Sequence, residues 1–267
     1  MKCLFPFVIK SGSFEEIITC GKCIVCLENR IKTWFIRIMC EIGYADYAKF
    51  ITLTYRDEEV PMINGVETLR HKDFQDYIKR VRKMLGDIRM KYYMCGEYGE
   101  RMGRPHYHAV ILLYGDLKKK KSQEILQSKW SKGFVHIGTV TPKSVRYCLD
   151  YLNKLAKKEY DINQVRPYQK VSQGFGLNYM LDNEKQISEL KYLAYNNVKY
   201  EVPRYFRKKS EKIDQEIRNM TMSEDYASTL EERKETYIKN KIQGIRDNAE
   251  QTRKNIIARK KIKRGSL

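Results

Sequence analysis

Long apolar runs are missing from this chain of 267 residues. No stretch approaches the roughly 18 uninterrupted apolar residues that a membrane helix needs, so no membrane partner is expected. Acid is scarce as well. The 33 Asp and Glu fall well short of the 52 Lys and Arg, leaving a formal charge of +19. That imbalance argues for a polyanionic partner, nucleic acid above all. A secretory leader is not evident, because the apolar run over residues 1–10 is broken by Pro6 and lacks a small-residue cleavage site. Without a leader, the seven cysteines fit a reducing cytoplasm better than a disulfide framework.

Histidine is rare, with four in the whole chain, and two of these stand one residue apart as His106 and His108. They open the β-branched, apolar run over residues 104–113, which is bounded by glycines and reads as a strand. Alternation on a strand puts both imidazoles on one face and Tyr107 on the other. Two imidazoles so placed make one edge of a metal site. A catalytic divalent ion needs a third protein ligand and open positions. Glu97 is the first candidate: it ends the preceding strand, and symmetry about the short loop places it opposite His106. Glu100, nearer the loop, is the competitor. Two imidazoles and a carboxylate suit Mg²⁺ or Mn²⁺ and can also hold Zn²⁺.

The pattern around these strands is α+β. A helix is expected from Leu27 to about Gly43, a strand over 50–55, and a helix from His71 to Leu85 stopped by Gly86. A strand over 91–97, the histidine strand, a helix near 122–131 and a strand over 134–140 follow. The order β-α-β-β-α-β is that of ferredoxin-like and RNA-recognition-type antiparallel sheets. In it the histidine strand is central, with helices expected on one face. The expected divisions are a cysteine-bearing segment and helix (1–45), a core (46–160), its C-terminal part (161–209) and a basic helical or partly disordered tail (210–267). The last fifteen residues hold seven Lys or Arg and no acid, which suits a nucleic-acid-gripping arm.

Thr141 caps a further helix with Pro142 at its first position, expected to reach about Lys157. At 100° per residue, Tyr147, Tyr151 and Lys154 fall within about 60° of one another, some 130° from the stripe of Val145, Cys148, Leu149, Leu152 and Leu155. The tyrosines are therefore expected outside this helix's apolar face. Phenol is a weak nucleophile until a divalent ion or an ammonium such as that of Lys154 favours phenolate. A metal beside phenolic nucleophiles in a basic protein points to chemistry on phosphodiesters.

The motifs Phe50-Ile51-Thr52-Leu53-Thr54-Tyr55, Gly96-Glu97-Tyr98-Gly99, Arg104-Pro105-His106-Tyr107-His108 and Tyr147-x-x-x-Tyr151-x-x-Lys154, in that order, resemble those of rolling-circle replication initiators with a His-hydrophobic-His motif (the HUH endonuclease fold). They are similar in particular to the initiators of Microviridae, in the gokushovirus-like branch, as are Cys3 with Cys20-x-x-Cys23-x-x-Cys26 and the late Pro203-Arg204-Tyr205-Phe206. The resemblance covers residues 1–207. It implies metal binding by His106 and His108, and attack on single-stranded origin DNA by Tyr147 and Tyr151. One tyrosine would nick and keep the 5′-phosphate, and the second would cut the regenerated origin so that strand transfer closes a circle. Relatives carry a lysine between the tyrosines, where this chain has Asp150, which leaves Lys154 as cationic helper. Host helicase and polymerase are implied as partners, in the host bacterial cytoplasm. Other readings are a relaxase, plasmid initiator or transposase of the same superfamily. A non-catalytic single-strand-binding module using Tyr92, Tyr93 and Tyr107 as stacking platforms is another.

Cys3, Cys20, Cys23 and Cys26 could make a four-thiolate structural zinc site. Iron–sulfur ligation and free, inert thiols are the alternatives.

Overall fold

Alternating residues become strands here wherever two neighbours can cover both of their faces. The computed structural model describes residues 3–11, 14–100, 102–116, 118–151, 160–221, 253 and 257. The chain divides into two units, residues 31–209 and residues 1–30 with 210–267.

In chain order, β1 (Phe7–Ser11) and β2 (Phe14–Ile18) form an antiparallel hairpin, so the segment expected to be irregular is paired. Helix α1 runs Ile24–Ile42 and β3 Tyr47–Tyr55. A small hairpin of β4 (Met62–Ile63) and β5 (Val66–Glu67) precedes α2 (His71–Leu85). Next come β6 (Arg89–Tyr98), β7 (Pro105–Tyr114), α3 (Lys119–Ser128), β8 (Gly133–Thr139) and α4 (Pro142–Leu149). Strand β9 (Tyr168–Val171), helices α5 (Leu177–Asp182) and α6 (Glu184–Leu190), and the hairpin β10 (Tyr192–Tyr195) with β11 (Val198–Glu201) follow. Helices α7 (Arg204–Arg207) and α8 (Glu211–Thr221) close the described elements. Nearly all of the basic tail lies outside the described residues.

The main sheet has the order β8-β3-β7-β6-β9, every neighbour antiparallel. Its first four members are the expected split β-α-β-β-α-β sheet with the histidine strand β7 in the middle. Strand β9 is an addition beyond it. Helix α2 ends where Gly86 takes φ +58, a conformation that favours glycine. Strand β8 can begin beside β3 only because residue 133 is glycine: a Cβ there would lie 2.1 Å from the Thr54 carbonyl oxygen.

Helices cover both faces of the sheet, not one. On one side Leu53, Tyr107, Ala109, Ile111 and Leu113 pack with Phe74, Tyr77 and Val81 of α2 and Leu126 of α3. On the other, Tyr93, Cys95, Val110 and Leu112 pack with Ile31, Phe35 and Ile38 of α1 and Val145, Cys148 and Leu149 of α4. The physical reason is legible in β7, which is apolar on both of its faces and needs two covers. Helix α4 starts as expected: Thr141 and Ser144 form a reciprocal capping box, with Pro142 at the first position. It ends early, at Leu149 rather than near Lys157. The Asp150 amide is shared between the carbonyls of Arg146 and Tyr147, the bifurcated tightening common at helix ends. Among the described residues, no helix is long and apolar enough to cross a membrane.

Candidate active site

The site is built by register. Strands β6 and β7 pair so that Glu97 faces His106 and Cys95 faces His108, while β3 places Thr54 and Thr52 on the other flank of the same two rows. Directly opposed residues share a face, so the carboxylate and both imidazoles converge. Glu97 Oε1 lies 3.5 Å from His106 Nε2 and 3.4 Å from His108 Nε2. These three ligand atoms all fall within 4.8 Å of one another. Glu100 is exposed in the turn and is not part of this group.

Each imidazole is aimed by its other nitrogen. His106 Nδ1 lies 3.0 Å from the Arg104 carbonyl oxygen, and His108 Nδ1 lies 2.9 Å from the Thr52 hydroxyl. Partners of this kind fix the ring so that Nε2 presents a lone pair, which is how metal-ligating histidines are normally held. Phe50 stacks on His108 at 5.6 Å between ring centroids. The donor set therefore fits a divalent cation: a buried carboxylate and two oriented nitrogens, with His106 reaching the surface. Mg²⁺ or Mn²⁺ suit such a mixed oxygen–nitrogen set when phosphate oxygens complete it.

Behind the ligands, Tyr107 points to the opposite face and anchors the strand. Its hydroxyl donates to the Arg70 carbonyl (2.9 Å), accepts from the Arg70 amide (3.1 Å) and lies 2.7 Å from the Tyr55 hydroxyl. Tyr55 in turn donates to Asp73. Burial pushes the Tyr107 phenol up from its ordinary value, so it stays neutral. Arg104 fixes the entry to β7 through the Tyr55 carbonyl and Asp57.

Helix α4 brings the tyrosines. Cys148 packs 3.4 Å from Cys95, and its thiol donates to the His108 carbonyl at 3.7 Å. This fastens α4 to the strand that carries the histidine, and the next residue back, Tyr147, stands with its ring 5.0 Å from that of His108. Tyr147 is 49% exposed.

Tyr151 differs: it is 2% exposed and belongs to the core on the α1–α4 side of the sheet. It lies in hydrogen-bond contact with Tyr93, whose phenol burial drives far above its ordinary value. The expectation that both tyrosines avoid the apolar face is thus corrected. Helix α4 stops before residue 151, so the uniform 100° spacing does not extend to it. Lys154 lies outside the described residues.

Two surface residues of this face were not singled out by the sequence. Phe134 and His136, on edge strand β8, continue the rows of Thr54–His106–Glu97 and Thr52–His108–Cys95. Phe134 is 70% exposed and His136 is exposed too. The signal available in sequence was alternation with an aromatic at an outward position. The platforms proposed for a binding module fare worse. Tyr93 and Tyr107 are fully buried, and Tyr92 packs half-buried against the α2 side of the core. The four cysteines Cys3, Cys20, Cys23 and Cys26 are brought together in the other unit.

The family described as replication-associated protein ORF2 matches residues 48–156, which hold β3 through α4 and both tyrosines. The replication-associated protein ORF2 of Spiroplasma virus 4 is 31% identical over 76% of this chain and 70% of its own length. The replication-associated protein ORF4 of Chlamydia phage 1 is 23% identical, covering 74% of this chain and 54% of that protein. The replication-associated protein VP4 of Bdellovibrio phage phiMH2K is 28% identical, covering 70% and 65% respectively. No solved structure matches the chain. The site therefore sits inside the segment that these phage proteins share, and the chain belongs to the family of replication-associated proteins of gokushovirus-like microviruses.

Proposed function

We propose that this protein initiates rolling-circle replication by nicking single-stranded origin DNA with Tyr147 and later rejoining the strand. The observation that carries this reading is the half-exposed Tyr147 ring 5.0 Å from that of His108, whose Nε2 converges with His106 Nε2 and Glu97.

Glu97, His106 and His108 would hold the cation, and a bound Mg²⁺ or Mn²⁺ would polarise the scissile phosphate. The chain's own part is positional. Thr52 and the Arg104 carbonyl hold the imidazoles, and Cys148 holds the helix that presents the phenol. The phenolic oxygen of Tyr147 forms a bond to phosphorus as the P–O3′ bond breaks. The phenol's proton ends, net, on the departing 3′-hydroxyl. The 5′-phosphate stays on tyrosine, and a 3′-hydroxyl attacking that phosphotyrosine reverses the step and closes a circle. Phe134, His136, Thr52 and Thr54 line the open sheet rows beside the ligands, where an exposed ring can stack a base of the incoming strand. Tyr151 is the second nucleophile, used after the segment following Asp150 shifts to uncover it, and Lys154 is its cationic helper. Basic residues supply most of the affinity through phosphates.

The test is incubation of the full chain with circular single-stranded DNA and Mn²⁺ or Mg²⁺, followed by peptide mapping of any protein–DNA adduct. A metal-dependent 5′-linked adduct on Tyr147 is the result expected. Binding with no adduct under any divalent ion would leave a non-catalytic single-strand-binding protein.

A further inference from the structure

Beyond that reading, and independent of it, we propose that Cys3, Cys20, Cys23 and Cys26 form a closed structural site for one zinc ion. Their sulfurs come from two segments, residue 3 and residues 20–26. Yet all four ligand atoms lie within 4.8 Å of one another. Two of the separations are 3.9 Å, between Cys3 and Cys23 and between Cys20 and Cys26. These two pairs share no sulfur, so they are opposite edges of a tetrahedron. Four thiolates bound at about 2.3 Å in tetrahedral geometry stand about 3.8 Å apart along every edge. The protein already has the dimensions of the bound site.

The surroundings suit thiolates. The Cys20 amide donates to Cys3 Sγ and the Cys23 amide to Cys20 Sγ, each at 3.3 Å. Backbone N–H groups aimed at sulfur support its negative charge and orient the ligand, as outer partners of metal ligands do. Cys26 lies in the first turn of α1, where unpaired amides and the helix dipole favour an anion. Gly21 at φ +69 makes the turn between Cys20 and Cys23 in a conformation other residues rarely adopt. Leu4, Ile24 and Val25 pack around the sulfurs, excluding water from them.

Other uses of four thiols fit less well. All four cysteines are free. Two disulfides would pull each 3.9 Å pair to about 2.05 Å and would need an oxidising compartment. A cluster of several irons attaches each thiolate to its own share of the metal core and spreads the sulfurs more widely than one ion does. With all four positions taken by protein, the site has no opening for substrate, so its role is to tie residue 3 to the start of α1. Metal binding in such sites is coupled to folding.

Zinc content of the full-length protein, purified without chelator and dialysed, tests this by elemental analysis beside the His106→Ala/His108→Ala double variant. Both should retain about one equivalent of zinc, as a four-thiolate site requires. Reaction of wild-type protein with an organomercurial should release it in step with modification of four thiols, a measurement that needs no cysteine variant to fold. Cobalt substitution should give the strong near-ultraviolet thiolate charge-transfer band of tetrahedral cobalt. The Cys23→Ser variant should lose both the zinc and that band. Absence of zinc, its loss in the histidine double variant, iron in its place, or two disulfides by mass would each overturn the proposal. None of these outcomes bears on nicking, which the histidine and tyrosine variants test separately.

Discussion

The two faces of β7 are made by the same strand and do opposite things. Tyr107, between the two histidines, is sealed and triply hydrogen-bonded to Arg70 and Tyr55. His106 and His108, one step to either side, open toward Glu97 and Tyr147. A residue pinned on one face makes its neighbours precise on the other, because a strand cannot rotate one side chain without its flanks. Rigidity behind the site and access in front of it are thus two consequences of one alternation. Substitutions on the two faces should separate accordingly, with activity lost on one and stability on the other.

The largest separation is expected at the ligands. His106→Ala or His108→Ala should reduce nicking by more than about 100-fold, beyond the 10–100-fold typical of removing a mere outer partner of a metal ligand. Melting temperature and affinity for single-stranded DNA should change little. Full cleavage by either variant in saturating Mn²⁺ would break the assignment of the open face. Next is Thr52→Val, which removes the hydroxyl 2.9 Å from His108 Nδ1 at nearly constant shape. It should weaken Mn²⁺ binding about 10–100-fold, read as the ion concentration giving half-maximal nicking. Unchanged metal dependence would mean that the packing of Phe50 alone aims the ring.

Phe134→Ala should weaken single-strand binding by about 1–3 kcal/mol, the worth of one stacked base, while metal binding stays as in the wild type. An equal loss for duplex DNA would reassign Phe134 to general surface contact. On the sealed face, Tyr107→Phe leaves buried partners of its hydroxyl unsatisfied and should cost about 1–3 kcal/mol of unfolding free energy. In the folded fraction the nicking rate should stay within a few-fold of wild type. A collapse of nicking without loss of stability would erase the distinction between the faces.

Much of this division was legible before any coordinates. Glu97 opposite His106 follows from symmetry about a short hairpin loop, and the structure has that pair in register. The sheet order follows from the alternation of elements, and His71–Leu85 carries its stripe and its stop in plain view. Tyr151 was misread because stripe arithmetic assumes an unbroken helix, and the break at Asp150 depends on a terminal hydrogen-bond pattern that propensity does not encode. The second layer of helices was missed because periodicity shows that a helix has an apolar face without showing which sheet face it meets. Phe134 was overlooked for a related reason. An outward aromatic on a strand has meaning only once the neighbours of its row are known, and here they are Thr54 and His106.

The account rests on the contrast between Tyr147, exposed beside His108, and Tyr151, sealed against Tyr93. The most direct measurement is the yield and position of the covalent adduct formed by wild type, Tyr147→Phe and Tyr151→Phe on one origin oligonucleotide with Mn²⁺. Tyr147→Phe should lose most first-turnover adduct, and Tyr151→Phe should form it at near wild-type rate while failing to release circles over repeated rounds. An adduct mapped to Tyr151 in the wild type, or full adduct yield from the double Phe variant, would contradict it.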